Sequence, residues 1–152
     1  MTIMYAPNWQ ELTGIPPIKA KPDSGFWTKA YDYIDAPTLL KIIATGEWNY
    51  STKFGAKCSA NGDLMSPFNS ARCIYEKAPV GALIGRIGGS VADKDPSSIF
   101  VVGSECVRKL DQEKGPLFLT INDMWTGFGD NDDQLTVHIF FADPQKSASA
   151  PG

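Results

Sequence analysis

Apolar and polar residues alternate over short distances along much of this chain, which is the pattern of half-buried β-strands. Residues 117–121 alternate in this way, and a second β-prone run covers residues 135–141. Further β-prone runs, not all of them alternating, cover residues 26–34, 38–45, 80–89, 98–103 and 106–110. In residues 38–45 the apolar side chains fall on both faces, which predicts a strand covered on both sides. Since no window longer than about eight residues has a helical period, the sequence predicts an all-β sandwich of two antiparallel sheets with about seven to nine strands.

Proline, glycine and small polar residues divide the chain into three parts. Residues 1–25 contain several prolines and are predicted to form an N-terminal extension that packs on the sandwich. Residues 26–142 form the sandwich domain, and residues 143–152 are predicted to be a flexible tail. Within the domain, residues 46–50 are predicted to leave a strand and enter a long polar loop, residues 51–72. Loops of this length are commonly functional.

Composition narrows the class of protein. With 152 residues and a hydrophobic share of 43%, the chain is long enough for one globular domain with a substantial core. The formal net charge of -3 and the lack of a basic cluster give no electrostatic reason to bind nucleic acid. No apolar run is long enough for membrane insertion, and residues 1–10 carry no secretory signal pattern. We therefore expect a cytoplasmic protein, with non-classical release or a cell-surface role left open.

The cysteines and the single histidine do not form a recognisable site. Cys58, Cys73 and Cys106 lack CxxC spacing, so burial as small apolar groups is expected. Oxidation of Cys58 with Cys73 outside a cell stays open. His138 cannot alone supply a His-rich metal site or a catalytic triad, and we predict a surface or subunit-contact residue.

The loop of residues 121–134, between two predicted strands, carries the densest set of polar groups. It contains four carboxylates, two asparagine amides and two glycines. Calcium takes about six to eight oxygen ligands, so this loop suits it. The same residue types are ordinary in turns, and composition leaves a calcium site and a solvated turn equally open. An EF-hand is excluded because Phe128 occupies the position of its obligatory glycine, counting from Asp123, and because strands flank the loop.

Three segments, taken in order, resemble the PA-I galactophilic lectin family of small bacterial calcium-dependent sugar-binding proteins. They are residues 38–50 with a Trp-x-Tyr turn, residues 78–88 with a glycine-rich strand, and residues 117–131 with Asn-Asp followed by Gly-x-Gly-Asp-Asn. The combination is more specific than any one feature, because the three are independent. The resemblance spans roughly residues 26–142 and implies a jelly-roll-like sandwich of the galactose-binding-domain-like type.

The resemblance also implies a set of calcium ligands and sugar contacts. The implied calcium ligands are the side chains of Asp123, Asp130 and Asn131 and the carbonyl oxygens of Gly127 and Tyr50. Positions left in the coordination shell would take vicinal sugar hydroxyls, which can donate hydrogen bonds to Asp123 and Asp130. Met124 and Trp125 are the implied candidates to cover the apolar face of the sugar ring.

The long loop departs from the family pattern at two positions. Galactose-binding members grip the primary hydroxyl with a histidine and a glutamine, and the corresponding residues here are Ser66 and Asn69. Both are shorter side chains, so the resemblance implies a sugar site that includes Ser66 and Asn69 but does not fix galactose as its ligand.

We therefore expect a calcium-dependent carbohydrate-binding protein without catalysis, which holds galactose or a related sugar through vicinal hydroxyls. The alternative is a calcium-stabilised structural or adhesion sandwich with little sugar binding. A glycosidase is disfavoured because the acidic residues cluster on one loop, where a cation would neutralise them. A homo-oligomer is expected, since sheet edges readily pair and several sites raise the avidity for sugars.

Overall fold

Eleven β-strands in two antiparallel sheets make up the part of the chain that the computed structural model describes, residues 7–52, 55–64, 70–90, 98–124 and 126–144. This arrangement confirms the all-β sandwich that the strand pattern predicts and the jelly-roll-like fold that the resemblance implies. The strands are β1 (Gln10–Glu11), β2 (Ile18–Lys19), β3 (Thr28–Asp35), β4 (Thr38–Thr45), β5 (Trp48–Ser51), β6 (Ala56–Cys58), β7 (Leu83–Ile87), β8 (Ile99–Val101), β9 (Glu105–Leu110), β10 (Lys114–Ile121) and β11 (Asp132–Ala142). In the same described ranges, no helix has the length and apolar character needed to cross a membrane.

The β-prone runs all form strands, and further strand residues lie in segments that the sequence predicts as loops or as the N-terminal extension. Residues 46–50 are expected to lead into a loop, but Trp48–Ser51 forms β5 and all its residues are buried. Strand β6 forms inside the predicted long loop, and β11 begins at Asp132, within the stretch expected to be the acidic loop. Each of these segments pairs with a strand elsewhere in the chain. Local alternation does not reveal such partners.

Strand β11 is the centre of the larger sheet, because other strands pair with both of its edges. Along one edge run β4 and then β5 in a single register, with Thr45 opposite Thr136 and Trp48 opposite Asp133. Along the other edge run β2 and β1. Strand β6 pairs with β5, and β9 pairs with β4. The segment expected to pack on the sandwich as an extension thus contributes two strands to this sheet.

The smaller sheet has the strand order β3-β10-β7-β8, and the core lies between it and the larger sheet. In the larger sheet, β4 buries Leu40, Ile42 and Ala44 on one face. Its other face is only half-buried, which corrects the expectation of a strand covered equally on both sides. The reason is that this outer face has a thin cover, in which the Lys41 ammonium lies 5.3 Å from the centroid of the Trp9 ring.

Asn122, the residue that follows β10, holds a neighbouring loop in place. Its side chain is fully buried, and its amide nitrogen donates to the carbonyl oxygens of Tyr75 at 2.8 Å, Ala78 at 2.9 Å and Pro79 at 3.1 Å. Its Oδ1 accepts from the backbone N–H of Tyr75 at 2.9 Å. One side chain therefore satisfies four backbone groups of the loop that precedes β7.

We predict that Asn122→Ala destabilises the fold by about 3–5 kcal/mol, because it removes all four hydrogen bonds and leaves buried backbone groups without partners. Denaturant unfolding followed by tryptophan fluorescence measures the change. Asn8→Ala is the matched control, since Asn8 is exposed. Equal stability of the two variants would contradict the role given to Asn122.

Candidate functional site

The loop between β10 and β11, residues 122–131, folds back on itself through its own backbone. The N–H of Gly127 donates to the carbonyl oxygen of Met124 at 2.8 Å, and a short 3₁₀ turn follows at Phe128–Asp130. Phe128 is buried, and its ring packs against that of Phe26 with centroids 5.9 Å apart. The core thus anchors this loop, and Phe128 is a core residue.

Asp123 is a buried carboxylate whose two oxygen atoms have different surroundings. Only 6% of the residue is exposed. Its Oδ1 accepts from the backbone N–H of Met124 at 2.7 Å, whereas its Oδ2 has no hydrogen-bond donor among the described residues. Burial raises the pKa of Asp123 to about 6; the Met124 N–H and the neighbouring Asn131 amide oppose that rise, and the negative charge of Asp130 adds to it. A buried anion with an open oxygen is unfavourable unless something pairs with it.

Gly127 lies directly against this carboxylate. A Cβ atom placed on Gly127 would come within 2.6 Å of Asp123 Oδ1 and 3.2 Å of Oδ2. The backbone of Gly127 has φ of -97° and ψ of -1°, which any residue can adopt. The requirement for glycine is therefore the space taken by the carboxylate, and conformational freedom is not the reason. A residue with a side chain would push Asp123 out of its position.

Asn131 ends the loop and connects it to the N-terminal segment. It is 5% exposed, and its amide nitrogen donates to the carbonyl oxygen of Ala20 at 3.1 Å. The N–H of Ala20 in turn donates to the carbonyl oxygen of Asp133 at 3.0 Å. The Oδ1 of Asn131 has no donor among the described residues. Ala20 therefore orients the Asn131 amide and leaves its oxygen available.

Asp130 is tied to strand β5 by two hydroxyl groups. Ser51 Oγ donates to Asp130 Oδ2 at 2.7 Å, and Thr52 Oγ1 donates to the Asp130 carbonyl oxygen at 2.8 Å. The sequence interpretation does not include Ser51 or Thr52. They directly follow Trp48-Asn49-Tyr50, but nothing in the sequence signals contacts with a residue almost eighty positions away.

Tyr50 is the residue of β5 that precedes Ser51, so it lies beside the contact between Ser51 and Asp130. Its side chain is buried, and its hydroxyl donates to Asp63 Oδ2 at 2.6 Å. The register between β5 and β6 shifts between Asn49 and Ser51, which marks a bulge that contains Tyr50. The Tyr50 side chain thus bonds to Asp63, while the ligand role that the resemblance implies concerns its carbonyl oxygen and stays a prediction.

Of the other residues predicted to contact the sugar, only Met124 lies within the described residues. Met124 lies beside Asp123 and is 36% exposed. Ser66, Asn69 and Trp125 lie outside the described residues. Asp132 and Asp133, the extra acidic residues of the predicted loop, are exposed residues of strand β11.

The cysteines and the histidine, all within the described residues, form no second centre. All three cysteines are free, and burial raises the pKa of the Cys58 thiol to about 12 and that of Cys73 to about 11. These thiols therefore stay protonated and unreactive near neutral pH. The Nδ1 atom of His138 lies 2.9 Å from Glu11 Oε2, where the ring links β11 to β1 at the surface.

The loop of residues 122–131 therefore carries several side-chain oxygen atoms, which β5 restrains through Ser51 and the N-terminal segment restrains through Ala20. Asp123 and Asn131 each keep one buried oxygen without a donor, and the charge of Asp130 is close enough to affect the Asp123 pKa. Across the described ranges, no group of three or more His, Cys, Asp or Glu side chains could hold a metal ion. A cation at this cluster would thus depend on two carboxylates supplemented by amide and carbonyl oxygens, which is a donor set that calcium accepts.

No protein-family model and no curated protein matches the chain. Its fold is similar to a solved structure described as the N-terminal domain of EclA, a PllA-like lectin, with a TM-score of 0.57 and 19% sequence identity. The superposition covers 83% of this chain and 93% of that domain. At this identity the similarity shows a shared fold.

We predict that Gly127→Ala destabilises the protein by about 1–3 kcal/mol, because the added methyl group displaces the Asp123 carboxylate. Gly129→Ala is the matched control in the same loop, since a Cβ there meets no atom within 4 Å. Thermal unfolding by circular dichroism compares the two. If Gly129→Ala is as destabilising as Gly127→Ala, the loss of stability does not arise from contact with Asp123.

Proposed function

We propose that this protein is a calcium-dependent carbohydrate-binding protein, a lectin, which acts without catalysis. The proposed calcium ligands are Asp123, Asp130 and Asn131 through their side chains and Gly127 and Tyr50 through their carbonyl oxygens. When bound, calcium would supply positive charge and open coordination positions for two vicinal sugar hydroxyls. The ligand class we propose is galactosides or related glycans.

The observation that carries this proposal is the pair of buried oxygens without donors, Asp123 Oδ2 and Asn131 Oδ1. Buried polar groups nearly always have partners, so two exceptions in one loop require an explanation. Both belong to residues that the family resemblance implies as calcium ligands. A bound cation would satisfy both oxygens and neutralise the carboxylate that burial disfavours.

The surrounding hydrogen bonds support the proposal by restraining the donors. Ala20 holds the amide nitrogen of Asn131, the Met124 N–H holds one oxygen of Asp123, and Ser51 holds one oxygen of Asp130. Each bond leaves one side-chain oxygen of that residue for another partner. Such restraint lowers the cost of ordering ligands when an ion binds.

The likeness to the EclA N-terminal domain is a second support. That domain is described as a PllA-like lectin, and a shared sandwich gives this chain the same frame for loops at the sheet ends. Function resides in the loops rather than in the fold, so the likeness supports the proposal only together with the oxygen cluster. Met124 is next to Asp123 and partly exposed, and we expect it to contact the apolar side of a bound sugar.

The second candidate function is a calcium-stabilised structural or adhesion domain with little sugar binding. The observation that favours it is the depth of the donors, since Asp123 and Asn131 are 6% and 5% exposed. An ion held this deeply could stabilise the loop without offering positions to a sugar. The two functions share the calcium site and differ only in glycan binding.

We predict that calcium raises the melting temperature and that a chelator lowers it. Binding to the folded form alone stabilises by about 2.7 kcal/mol when free calcium is one hundred times its Kd. For a domain of this size the corresponding rise is roughly 5–10 °C. Differential scanning calorimetry in calcium and in excess chelator measures it, with magnesium as the control ion. Identical melting curves in calcium and in chelator, after calcium removal verified by elemental analysis, would contradict the calcium site.

We predict that Asp123→Asn loses both calcium and glycan binding, because the amide removes one negative charge and replaces an acceptor oxygen with a donor group. Ser66→Ala is the comparison variant, expected to keep calcium affinity within about twofold and to change only sugar affinity or preference. Isothermal titration with calcium, followed by a glycan array with galactosides included, measures both properties. Calcium binding without any glycan signal in the parent would select the structural function, and calcium-independent glycan binding by Asp123→Asn would place the sugar site elsewhere.

A further inference from the structure

The described residues contain six edge strands, and one of them differs from the rest. Strands β1 and β2 have two residues each, and each pairs only with β11. Strands β6 and β8 have three residues each. Strand β3 is longer, but its pairing with β10 contains two register shifts. Strand β9 has six residues in an uninterrupted register with β4. Because short or irregular edges resist pairing with other chains, β9 is the edge best suited to receive another strand.

The backbone of β9 presents a regular set of hydrogen-bonding groups to its open side. The N–H of Ala44 donates to the Ser104 carbonyl oxygen at 2.9 Å, and these residues lie in the register that continues along β4 and β9. In an antiparallel ladder every second residue bonds to a given neighbour. The alternate residues Glu105, Val107 and Lys109 therefore direct their N–H and C=O groups away from β4.

The side chains of the same three residues are arranged symmetrically. Glu105, Val107 and Lys109 are all exposed and share the outer face of the sheet, and Val107 is 58% exposed. Charged residues on an edge strand normally discourage pairing. Here one acidic and one basic residue lie at equal distances on either side of an exposed valine, so the strand is complementary to an antiparallel copy of itself.

We propose that β9 pairs with β9 of a second copy of this chain about a two-fold axis at Val107, forming a dimer with a continuous sheet. In this register Val107 faces Val107 of the partner subunit, and Glu105 faces Lys109 of the partner subunit on both sides of the axis. All three residues present outward backbone groups, so each facing pair exchanges two hydrogen bonds. If the partner strand shifted by one residue, the outward backbone groups of one β9 would face residues of the other whose backbone groups point towards β4. If it shifted by two residues towards the loop that follows β9, Glu105 would face Asp111 of the partner subunit, which places like charges together.

Charge reversal tests this register in the full 152-residue chain. Glu105→Lys and Lys109→Glu each place like charges opposite one another twice in the dimer, whereas the double variant Glu105→Lys with Lys109→Glu restores opposite charges. Lys29→Glu, at an exposed position of β3, is the matched control for Lys109→Glu. We expect sedimentation equilibrium to give a dimer for the parent, the control and the double variant. Each single variant should raise the dimer dissociation constant at least about tenfold, since like charges directly opposite are destabilising.

Amide hydrogen exchange by NMR identifies the interface independently. The N–H groups of Glu105, Val107 and Lys109 should be protected in the parent dimer and should exchange faster in Lys109→Glu. Those of Cys106 and Arg108, which bond to β4, should remain protected in both. A monomeric parent at about 100 µM, a dimer unaffected by either single reversal, or a double variant that stays monomeric would each overturn the proposal. The test needs neither calcium nor sugar, so its outcome does not depend on the proposed function.

Discussion

The pairing of strands along both edges of β11 is the interaction on which the rest of this structure depends. It brings β4 and β5 to one edge and the N-terminal strands to the other. Because β11 begins immediately after Asn131, this pairing also fixes the end of the oxygen-rich loop. Ala20 approaches Asn131 from one side of β11, and Ser51 approaches Asp130 from the other. The candidate site is thus assembled by the sheet, and its loop contributes only part of it.

This assembly carries an energetic cost at Asp123. A carboxylate with 6% exposure and an oxygen without a donor opposes folding, because it loses its hydration without a full set of replacements. Gly127 adds to the enclosure, because its backbone lies so close to the carboxylate that a Cβ atom there would overlap it. A buried polar group without a full set of hydrogen bonds, held in place by well-bonded surroundings, is typical of sites that bind a ligand. The proposed calcium site gives this arrangement a physical reason.

The proposed dimer would complement a weak sugar site. Single sugars offer few contacts, and two sites on one particle raise the effective affinity for a surface that carries many glycans. The candidate site uses β5, β11 and the N-terminal segment, whereas the proposed interface uses only β9, which pairs with β4 at the edge of the same sheet. Sugar binding and self-association would therefore use different surfaces of one sheet.

The sequence by itself determined the strands with clear alternation and the loop that holds Asp123, Gly127, Asp130 and Asn131. Both are local properties: alternation reports which face of a strand is buried, and the density of oxygen side chains reports what a loop can bind. Only the tertiary structure decided that Trp48–Ser51 is a buried strand, that Ser51 and Ala20 hold the site, and that Asp132 and Asp133 belong to β11. These outcomes depend on partners far away along the chain, where the residues involved carry no local pattern. The tertiary structure also explains why residue 127 is glycine, because a side chain there would overlap the buried carboxylate of Asp123.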